Sequence, residues 1–453
     1  MRSQRSLDVL RSNCPSHSLG CAGPRPEAAC GGSSLWDDMR SQPTRREFVA
    51  ASVASAPLAA CAGTPQRQPS GPSAVELDAA AAQPVLDLSG LATPLIIDSI
   101  RLLEQDGEQF VHVRSKDGAE GVSLTNGRRH LGPILRDLVV PFFVGKDARK
   151  LESELLFELY RHRSNYKLQG LALWSVQAWV EFALLDMMGR ACGKSMGELL
   201  GGTIRDEIDF YVASGRRDST PEEEVEYLQS LVDETGAKAV KFRLGGRMSR
   251  NLDASPGRSE SLIPLARKAL GDGIDLHGDA NSSYDPEHAL PIGRLLEEVG
   301  AVYFEEPCPF DHLEDTKTVA DALSLPVSGG EQEYSERRFR WMIANRGVDI
   351  VQPDLHYYGG MIRSARVANM AELVHMPTTV HISGGFGFVY MLHLASRTKN
   401  IGRYQEYKRN IERYADWFDP PLWIRDGKLG VPTGPGVGIR DVPAVIRGAR
   451  QVI

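Results

Sequence analysis

The stretch Val302–Phe310 reads VYFEEPCPF, in which an apolar, β-prone run leads directly into two adjacent glutamates, Glu305 and Glu306, and then a proline. Neighbouring residues of a strand point to opposite faces, so the two carboxylates have different surroundings. We expect Glu305 to face into the structure and Glu306 to secure a neighbouring lysine or a backbone group. A buried strand that ends on negative charge needs an explanation, and the positions of the other ionisable residues provide one.

Similar β-rich runs, separated by helical stretches, recur on both sides of this segment. The eight runs are Ile208–Ala213, Ala237–Leu244, Ile274–Asn281, Ala301–Pro307, Leu325–Glu331, Val348–Asp354, Pro377–Gly385 and Ile401–Lys408. Alternating strands and helices predict parallel pairing, and eight units at a steady interval favour a (β/α)8-type, TIM-like barrel in the α/β class. A doubly wound open sheet is the alternative, but the chain has no Gly-rich dinucleotide fingerprint to support it.

From the second run onward, each run ends in or near ionisable residues. They are Lys241 with Arg243, Asp279, Glu305, Glu331, Asp354, His381 and Glu406. From Asp279 to Glu406 they recur every 23 to 27 residues, close to the repeat of about 30 residues expected for eight units in a barrel of about 250 residues. The C-terminal ends of barrel strands meet at one mouth, where barrel active sites lie. We therefore expect these side chains to converge.

Three of these residues, Asp279, Glu305 and Glu331, are carboxylates on consecutive strand ends. Three converging carboxylates cannot all stay ionised without a cation. A ligand set of oxygens, with no His or Cys, is typical of a hard ion such as Mg²⁺, which keeps positions open for water or substrate. The sequence therefore predicts one Mg²⁺ site, and the metal explains why the strand at Glu305 ends on charge.

The region before the barrel has a different pattern. Alternation around a turn at Asp106-Gly107 predicts two or three antiparallel strands. Three helical stretches follow, Leu131–Pro141, Ala148–His162 and Leu171–Gly193. We predict an α+β N-terminal capping domain over 94–205, a barrel over 206–425 and a C-terminal segment over 426–453.

The first 85 residues are rich in Ser, Pro, Gly and Ala. Arg45-Arg46 followed by Phe48 resembles a twin-arginine export signal, and Leu58–Cys61 resembles a lipobox whose cysteine is lipidated. The apolar stretch between them is too short to span a bilayer. We predict translation from Met39, a signal over 39–61, and a periplasmic protein with a lipid anchor on Cys61. A leader with no targeting role is the alternative.

Bulk composition limits the partners. The formal net charge is −7 over 453 residues with no basic stripe, which argues against nucleic acid as the main partner. Small anionic substrates remain compatible, because a site can be locally positive on an acidic protein. The cysteines outside the leader, Cys192 and Cys308, show no disulfide framework or zinc-ligand spacing.

Several motifs together resemble the enolase superfamily, in its mandelate racemase/muconate lactonizing enzyme branch. They are Lys241-x-Arg243, Asp279-x-Asn281, Glu305-Glu306-Pro307, Gly330-Glu331-Gln332, Gln352-Pro353-Asp354, His381 and Glu406. The resemblance covers essentially all of 94–440. It implies a cap that closes over a modified barrel, to which the segment around Gly434–Gly438 returns. It also implies Mg²⁺ on the three carboxylates, a His381–Asp354 acid/base dyad, and Glu406 hydrogen-bonded to a substrate oxygen. We further expect a homo-oligomer.

The chemistry of such a site is removal of the proton α to a carboxylate. The resulting enediolate needs a metal and cationic donors, which Mg²⁺ and Lys241 supply, and His381 has a suitable pKa for the proton transfer. Where the racemases carry a second lysine, this chain has Arg243, which stays protonated and is a poor base. A one-base dehydration of a sugar acid (aldonate or aldarate) to a 2-keto-3-deoxy acid is therefore favoured.

Two alternatives stay open at this point. Lys241 can still act as a base, which leaves an epimerase, racemase or cycloisomerase on the same intermediate. A lipid-anchored binding protein without turnover is the other alternative, although the Asp354–His381 pair argues against it.

Weaker signals concern residues with no motif. We expect His277, His312 and His356 to serve packing or the surface, and Trp174 and Trp179 to lie in the cap core. Candidate substrate contacts are Tyr357, Tyr358, Trp341 and the segment Asn126–His130.

Overall fold

The computed structural model describes residues 71–409 and 411–453. The predicted export signal, with Arg45, Arg46 and Cys61, lies outside the described residues, as does Met39, and it stays a prediction. The described chain begins with helix α1 (Ala74–Ala81), where Ser73 and Glu76 form a reciprocal capping box.

An antiparallel sheet forms the N-terminal part of the fold. Its strands β1 (Ile97–Gln105), β2 (Glu108–Ser115) and β3 (Glu120–Leu124) are adjacent in chain order. The β1–β2 turn lies at Asp106-Gly107, as predicted, and both residues have positive φ. The helices that follow are α2 (Gly132–Ile134), α3 (Val140–Phe143), α4 (Leu156–Arg161), α5 (Leu171–Cys192) and α6 (Met196–Leu199). Two π-helical turns, Leu135–Val139 and Leu151–Leu155, interrupt the first two predicted helices.

Helix α5 is the core of this region. It is long and apolar enough to cross a membrane, but 89% of its most apolar window is buried inside the protein. It ends at Gly193, which has φ 72° and thus the left-handed conformation common at helix ends. Strand β3 lies directly on it, since a Cβ at Gly121 would come within 2.4 Å of the backbone of Ala183 and Met187. A side chain at position 121 would therefore separate sheet and helix.

Parallel strands form the second part of the fold. They are β4 (Glu207–Ala213), β5 (Ala239–Arg243), β6 (Asp275–Asp279), β7 (Tyr303–Glu305), β8 (Val327–Gly329), β9 (Ile350–Val351) and β10 (Gln405–Tyr407). Neighbours pair in this order from β4 to β9, and β10 pairs with β4. In the seventh predicted run, Thr378 forms parallel bridges to Val351 and to Ile401. These bridges complete the ring, which confirms the barrel.

Most strands are shorter than the predicted runs. Strand β7 stops at Glu305 because Glu306 adopts φ 42°, a left-handed conformation that leaves the strand. The seventh run, predicted over Pro377–Gly385, is not a regular strand, because Pro377 has no N–H to donate and the remainder carries site residues into the mouth. Three of the predicted charged strand ends, Glu331, Asp354 and His381, therefore lie outside the regular strands, in the segments that build the site.

Helices lie between successive barrel strands. They are α7 (Pro221–Thr235), α8 (Arg258–Leu270), α9 (Pro286–Glu298), α10 (Leu313–Ala322), α11 (Glu336–Asn345), α12 (Met361–Glu372) and α13 (Gly387–Arg397). Helix α1 packs on α11 and α12, where Leu77 and Ala81 join a buried cluster with Met342 and Met370.

The C-terminal residues contribute to both sheets. Their elements are α14 (Ile411–Tyr414), β11 (Ile424–Arg425), β12 (Lys428–Gly430), α15 (Val442–Val445) and β13 (Arg450–Gln451). Strand β12 pairs antiparallel with β4. Strand β13 pairs antiparallel with β1, with Gln451 opposite Leu103, so the end of the chain completes the N-terminal sheet.

Candidate active site

The strand ends converge on one cavity, because side-by-side parallel strands bring their C-terminal ends to the same mouth. The cavity has a volume of about 490 Å³. Its lining residues are Arg128, Arg243, Arg247, Met248, Asn281, Ser282, Glu306, Phe310, Glu331, Gln332, Tyr357, His381, Ile382, Ser383, Gly384 and Lys408. Both the barrel and the loop after β3 supply these residues, so the two parts of the fold enclose the site together.

Asp279, Glu305 and Glu331 come together at its inner end. One oxygen from each lies within 4.8 Å of the others, and all three residues are buried. Glu305 Oε2 accepts a hydrogen bond from Gln352 Nε2 (3.0 Å). Asp279 Oδ2 and Glu331 Oε2 form no hydrogen bond of good geometry with the described residues, but each has an ionic neighbour: Arg243 beside Asp279 Oδ2 and His381 Nε2 at 3.1 Å from Glu331 Oε2. Converging buried carboxylate oxygens are the ligands that a hard divalent cation binds.

Two basic side chains lie against these carboxylates. Lys241 Nζ is 2.9 Å from both Glu305 Oε1 and Glu406 Oε1 and 3.5 Å from Asp279 Oδ2. Burial lowers the pKa of Lys241, but the charges of Glu305 and Glu406 outweigh it and leave that pKa above its ordinary value. Arg243 pairs with Asp279, and its Nε donates to Ser214 O (3.1 Å).

The charges in this region do not balance. Five carboxylates, those of Asp279, Glu305, Glu331, Asp354 and Glu406, are connected through salt bridges to three permanently basic residues, Lys241, Arg243 and Lys408. Burial and the charges of Glu331 and Glu305 raise the pKa of the adjacent Glu306 well above its ordinary value, so Glu306 adds little charge. The carboxylates of this network outnumber its permanently basic residues by five to three, and His381 adds a positive charge only when it is protonated, so the network favours a bound cation. Charge and donor type thus both fit such an ion.

A His–Asp pair lies beside the carboxylates. His381 Nδ1 is 2.7 Å from Asp354 Oδ2, while Asp354 Oδ1 accepts from the backbone N–H groups of His356 and Tyr357 (2.8 Å each). The contact with Asp354 occupies Nδ1 of the ring, and the other nitrogen, Nε2, faces Glu331 Oε2 at 3.1 Å. Burial lowers the pKa of His381, but Glu331 and Glu406 outweigh it and raise that pKa. The pair can take up and return a proton at Nε2.

Glu406 is held from two sides. Its Oε2 accepts from the backbone N–H of Ile382 (2.8 Å), and its Oε1 contacts Lys241. Burial raises the pKa of Glu406, but Lys241 and Lys408 outweigh it and lower that pKa well below its ordinary value. The side chain is therefore an ionised acceptor in this arrangement. Donation of a hydrogen bond to a substrate oxygen, the role that the resemblance implies, requires its protonated form.

Lys408 belongs to the site although it follows no recognised motif. Its Nζ lies 3.2 Å from Glu406 Oε2 and 3.4 Å from His381 Nε2. The signal was present in the sequence, because a residue two places after Glu406 in an extended segment projects from the same face. Arg247 was missed for a different reason: it lies in the loop after β5, where no periodicity operates.

Comparisons with known proteins agree with this geometry. Residues 96–201 match the model of the mandelate racemase/muconate lactonizing enzyme N-terminal domain, and residues 223–442 match that of the enolase C-terminal domain-like family. The crystal structure of a candidate racemase from Roseobacter denitrificans is 35% identical with a TM-score of 0.72, covering 79% of this chain and 99% of that one. The chain belongs to the enolase superfamily. Its branch is that of mandelate racemase and muconate lactonizing enzyme, as the motifs predicted.

Other members of the superfamily show what related chains do. Arabinonate dehydratase from Saccharolobus solfataricus is 28% identical over 73% of this chain and 87% of its own length. L-talarate/galactarate dehydratase from Salmonella typhimurium is 26% identical over 79% and 85%. A mandelate racemase/muconate lactonizing protein from Paracoccus denitrificans, solved in complex with magnesium, is 26% identical with a TM-score of 0.71 and is covered to 99%, against 79% of this chain.

Of the four candidate substrate contacts predicted from the sequence of this superfamily member, two lie at the cavity and two do not. Tyr357 lines the cavity and so does Arg128 of the segment Asn126–His130, whereas Tyr358 and Trp341 pack with the hydrophobic cluster under α1. The prediction that Glu306 secures a neighbouring lysine was wrong. Its side chain lines the cavity, and its Oε1 has no hydrogen-bond partner among the described residues. Since the backbone turns at φ 42°, the side chain points into the mouth.

The three histidines that were predicted to serve packing or the surface take no part in the cavity. His277 is buried in the barrel against Tyr211 and Tyr303, and His356 is buried against Phe182. His312 is exposed and lies 3.2 Å from Asp315. Trp179 is fully buried in the cap core and Trp174 nearly so.

Proposed function

We propose that this enzyme dehydrates a sugar acid to a 2-keto-3-deoxy acid, in a reaction that depends on Mg²⁺ and begins with removal of the proton α to the carboxylate. The observation that carries the proposal is the His381–Asp354 pair beside the buried carboxylates, with an arginine at position 243. The dehydratase names of the curated relatives support the reaction class. A Mg²⁺ ion held by Asp279, Glu305 and Glu331 would supply positive charge to the substrate carboxylate as negative charge develops on it.

The protein's own side chains perform the proton transfers. Lys241, protonated and buried, donates hydrogen bonds to the substrate carboxylate. His381 Nε2 removes the C2 proton, and the electron pair of that C–H bond moves toward the carboxylate. The C3–O bond then breaks, and the proton on His381 leaves with the hydroxyl group as water. The resulting enol becomes the 2-keto acid when its hydroxyl proton is transferred to C3, so the net change is loss of one water.

The test is a panel of aldonic and aldaric acids, assayed for 2-keto product with Mg²⁺ in D₂O. We expect product with deuterium placed by a single stereochemical course and no exchange into the opposite C2 epimer. His381→Asn should lose turnover and C2-proton exchange together, by about 10²–10⁴-fold. Its Mg²⁺ content and melting temperature, which should stay unchanged, serve as the control for folding.

Epimerisation and cycloisomerisation are the alternative outcomes on the same intermediate. Epimerisation needs a base on the second face, and Lys241 is held protonated by its carboxylate neighbours. Racemisation of the substrate at a rate comparable to elimination, or C2 exchange that persists in His381→Asn, would show that a second base operates and would replace the dehydratase proposal.

We also propose export through the twin-arginine route and lipid attachment at Cys61, on the basis of Arg45-Arg46 and the lipobox-like Leu58–Cys61. A folded barrel without disulfides among its described residues suits a route that carries folded proteins. Changing both arginines to lysine should retain the protein in the cytoplasm, as cell fractionation would measure. Unchanged export would refute the twin-arginine signal, and a mature N-terminus other than Cys61 would refute the lipobox.

A further inference from the structure

Two arginines at the mouth of the cavity have no carboxylate partner among the described residues. Arg128, in the loop after β3, donates to the Tyr357 hydroxyl, and its guanidinium carbon lies 4.7 Å from the centroid of that ring. Arg247, in the loop after β5, is exposed and makes no ion pair or hydrogen bond with a described residue. The deeper basic groups, Lys241, Arg243 and Lys408, are all paired with carboxylates.

The loop that carries Arg247 is tied to its neighbour. The backbone N–H of Met248 donates to Asn281 O (3.0 Å), that of Asn251 donates to Ser283 O (2.8 Å), and Asn251 Nδ2 donates to Asp285 Oδ2 (2.7 Å). Four non-glycine residues, Arg247, Met248, Arg250 and Asn251, have left-handed φ values between 50° and 69°. Such conformations persist only where surrounding contacts hold them. The backbone of Arg247 is therefore fixed at the cavity mouth.

The two ends of the cavity thus differ in what they require. In the proposed function, the inner end, with Lys241 and the metal-ligand carboxylates, binds the substrate carboxylate next to the reacting C2. A sugar acid with one carboxylate would present only neutral hydroxyls to Arg128 and Arg247. A guanidinium matches a carboxylate in charge and geometry, with two parallel hydrogen bonds. The volume of about 490 Å³ is within the usual range for small-molecule sites.

We propose that the substrate is a sugar diacid, an aldarate, whose second carboxylate binds between Arg128 and Arg247. The inference rests on the proposed function for the reaction at the inner end. It goes further in choosing the diacid class over the monoacid class, and it assigns specificity to two residues that no motif marks.

The first test compares acids of matched stereochemistry, galactarate with galactonate and glucarate with gluconate. The wild-type enzyme should favour the diacid of the preferred pair by at least about 10-fold in kcat/KM. Arg247→Met and Arg128→Met should each lower the diacid-to-monoacid ratio by about 10- to 100-fold, the usual effect of losing a hydrogen bond to a charged group. Arg247→Lys should retain more of the ratio than Arg247→Met. Arg101→Met, at an exposed cap position, is the matched control and should keep the ratio.

The second test measures binding without turnover. Calorimetric titration of the His381→Asn variant with the diacid should give an affinity that falls by a similar factor when Arg247→Met is added, and that weakens as ionic strength rises. Thermal unfolding establishes that each variant is folded. This measurement stands even if the chemistry is not dehydration.

The possible outcomes separate the two proposals. If the wild-type enzyme converts the monoacid as efficiently as its paired diacid, the diacid inference is overturned and the dehydratase proposal stands. The same holds if the arginine variants lose the same factor of kcat/KM on both acids. A preference for the monoacid 6-phosphate over the diacid overturns the assignment of a carboxylate. If neither acid is converted, the proposed function fails, and diacid binding that depends on Arg247 still supports the second carboxylate site.

Discussion

Glu331 sits where the two parts of the catalytic chemistry meet. Its Oε2 faces His381 Nε2 at 3.1 Å, while its other oxygen accepts a hydrogen bond from Gln332 Nε2 (2.9 Å). The same carboxylate can therefore serve the cation and influence the base. Removing its charge should affect metal binding before anything else.

Glu331→Gln keeps the shape of the side chain and removes one charge from the three-carboxylate group. We expect it to abolish Mg²⁺-dependent turnover and the rise in melting temperature that Mg²⁺ gives the wild type, because a bound ion stabilises the folded state by mass action. Thermal unfolding with and without Mg²⁺ measures the second effect. Glu260→Gln, at an exposed position on α8, is the control. Full wild-type activity in excess chelator would contradict the metal assignment.

Arg243→Lys tests the one-base mechanism directly. A lysine at this position places a titratable amine on the second face of the substrate, where the arginine side chain is always protonated. We expect weaker substrate binding, seen as a higher KM, together with C2-proton exchange on the second face that the wild type lacks. NMR in D₂O distinguishes the two faces. No exchange in this variant would mean that residue 243 does not reach C2.

The sequence predicted the inner part of the site well and its mouth only in part. Asp279, Glu305 and Glu406 lie within barrel strands, so periodicity and strand-end logic place them. Arg128 falls in the segment Asn126–His130, which the sequence marked as a candidate substrate contact, and it lines the cavity. Arg247 was not predicted, because it lies in a loop where the side-chain direction depends on contacts distant in sequence, such as that of Met248 with Asn281. Glu306 shows the same limit, because alternation alone predicted the opposite direction from the one that its left-handed backbone imposes.

At the scale of elements, a buried carboxyl group of helix α5 binds the start of a barrel helix. Glu181 Oε1 accepts from the backbone N–H of Ile362 (3.0 Å) at the N-terminus of α12. A Cβ at Gly360 would lie 2.3 Å from Glu181 Cδ, so only glycine fits there, and its φ is 114°. The carboxyl group of Glu181 therefore fills the space between the cap helix and the start of the barrel helix.

This junction predicts a pH dependence of stability. Burial raises the pKa of Glu181 from its ordinary value of 4.5 to about 8. Between these values the folded protein binds the extra proton, so the free energy of unfolding falls as pH rises, by up to about 1.4 kcal/mol per pH unit. The contribution is fully present below pH 4.5 and is lost as pH passes through 8.

Urea unfolding at several pH values from 5 to 8 measures this slope. Glu181→Gln, which cannot ionise, should show a smaller fall than the wild type over that range, and Glu226→Gln, at an exposed position on α7, should match the wild type. Equal slopes in Glu181→Gln and the wild type would mean that the carboxyl group titrates normally despite its burial.

At the scale of the whole molecule, the segment before the family domains is part of the folded unit. Helix α1 ends before residue 96, where the match to the N-terminal domain model begins. Its Leu77 is fully buried, and Asp78 lies 2.6 Å from Arg340 of α11. The backbone N–H groups of Val85 and Leu86, which follow α1, both donate to Glu152 (2.9 Å each). This segment thus spans from barrel helices to the cap.

Leu77→Ala tests whether that segment unfolds with the rest of the protein. Deleting a buried leucine side chain should lower the free energy of unfolding by about 2–5 kcal/mol if α1 belongs to the same cooperative unit. Chemical unfolding followed by circular dichroism gives the value. Val75→Ala, at a position 77% exposed on the same helix, should change it little. A Leu77→Ala variant with unchanged global stability would show that α1 detaches first.

Strand β13 has a consequence for biosynthesis. It is formed by Arg450 and Gln451, and Ile453 O accepts from the backbone N–H of Leu102 in β1. The barrel strands lie between β1 and β13 in the sequence, so β1 gains this partner only after all the barrel strands have been synthesised. The edge of the cap sheet at β1 therefore stays open while the barrel strands emerge. Completion of the cap sheet is for this reason a late step in the folding of each molecule.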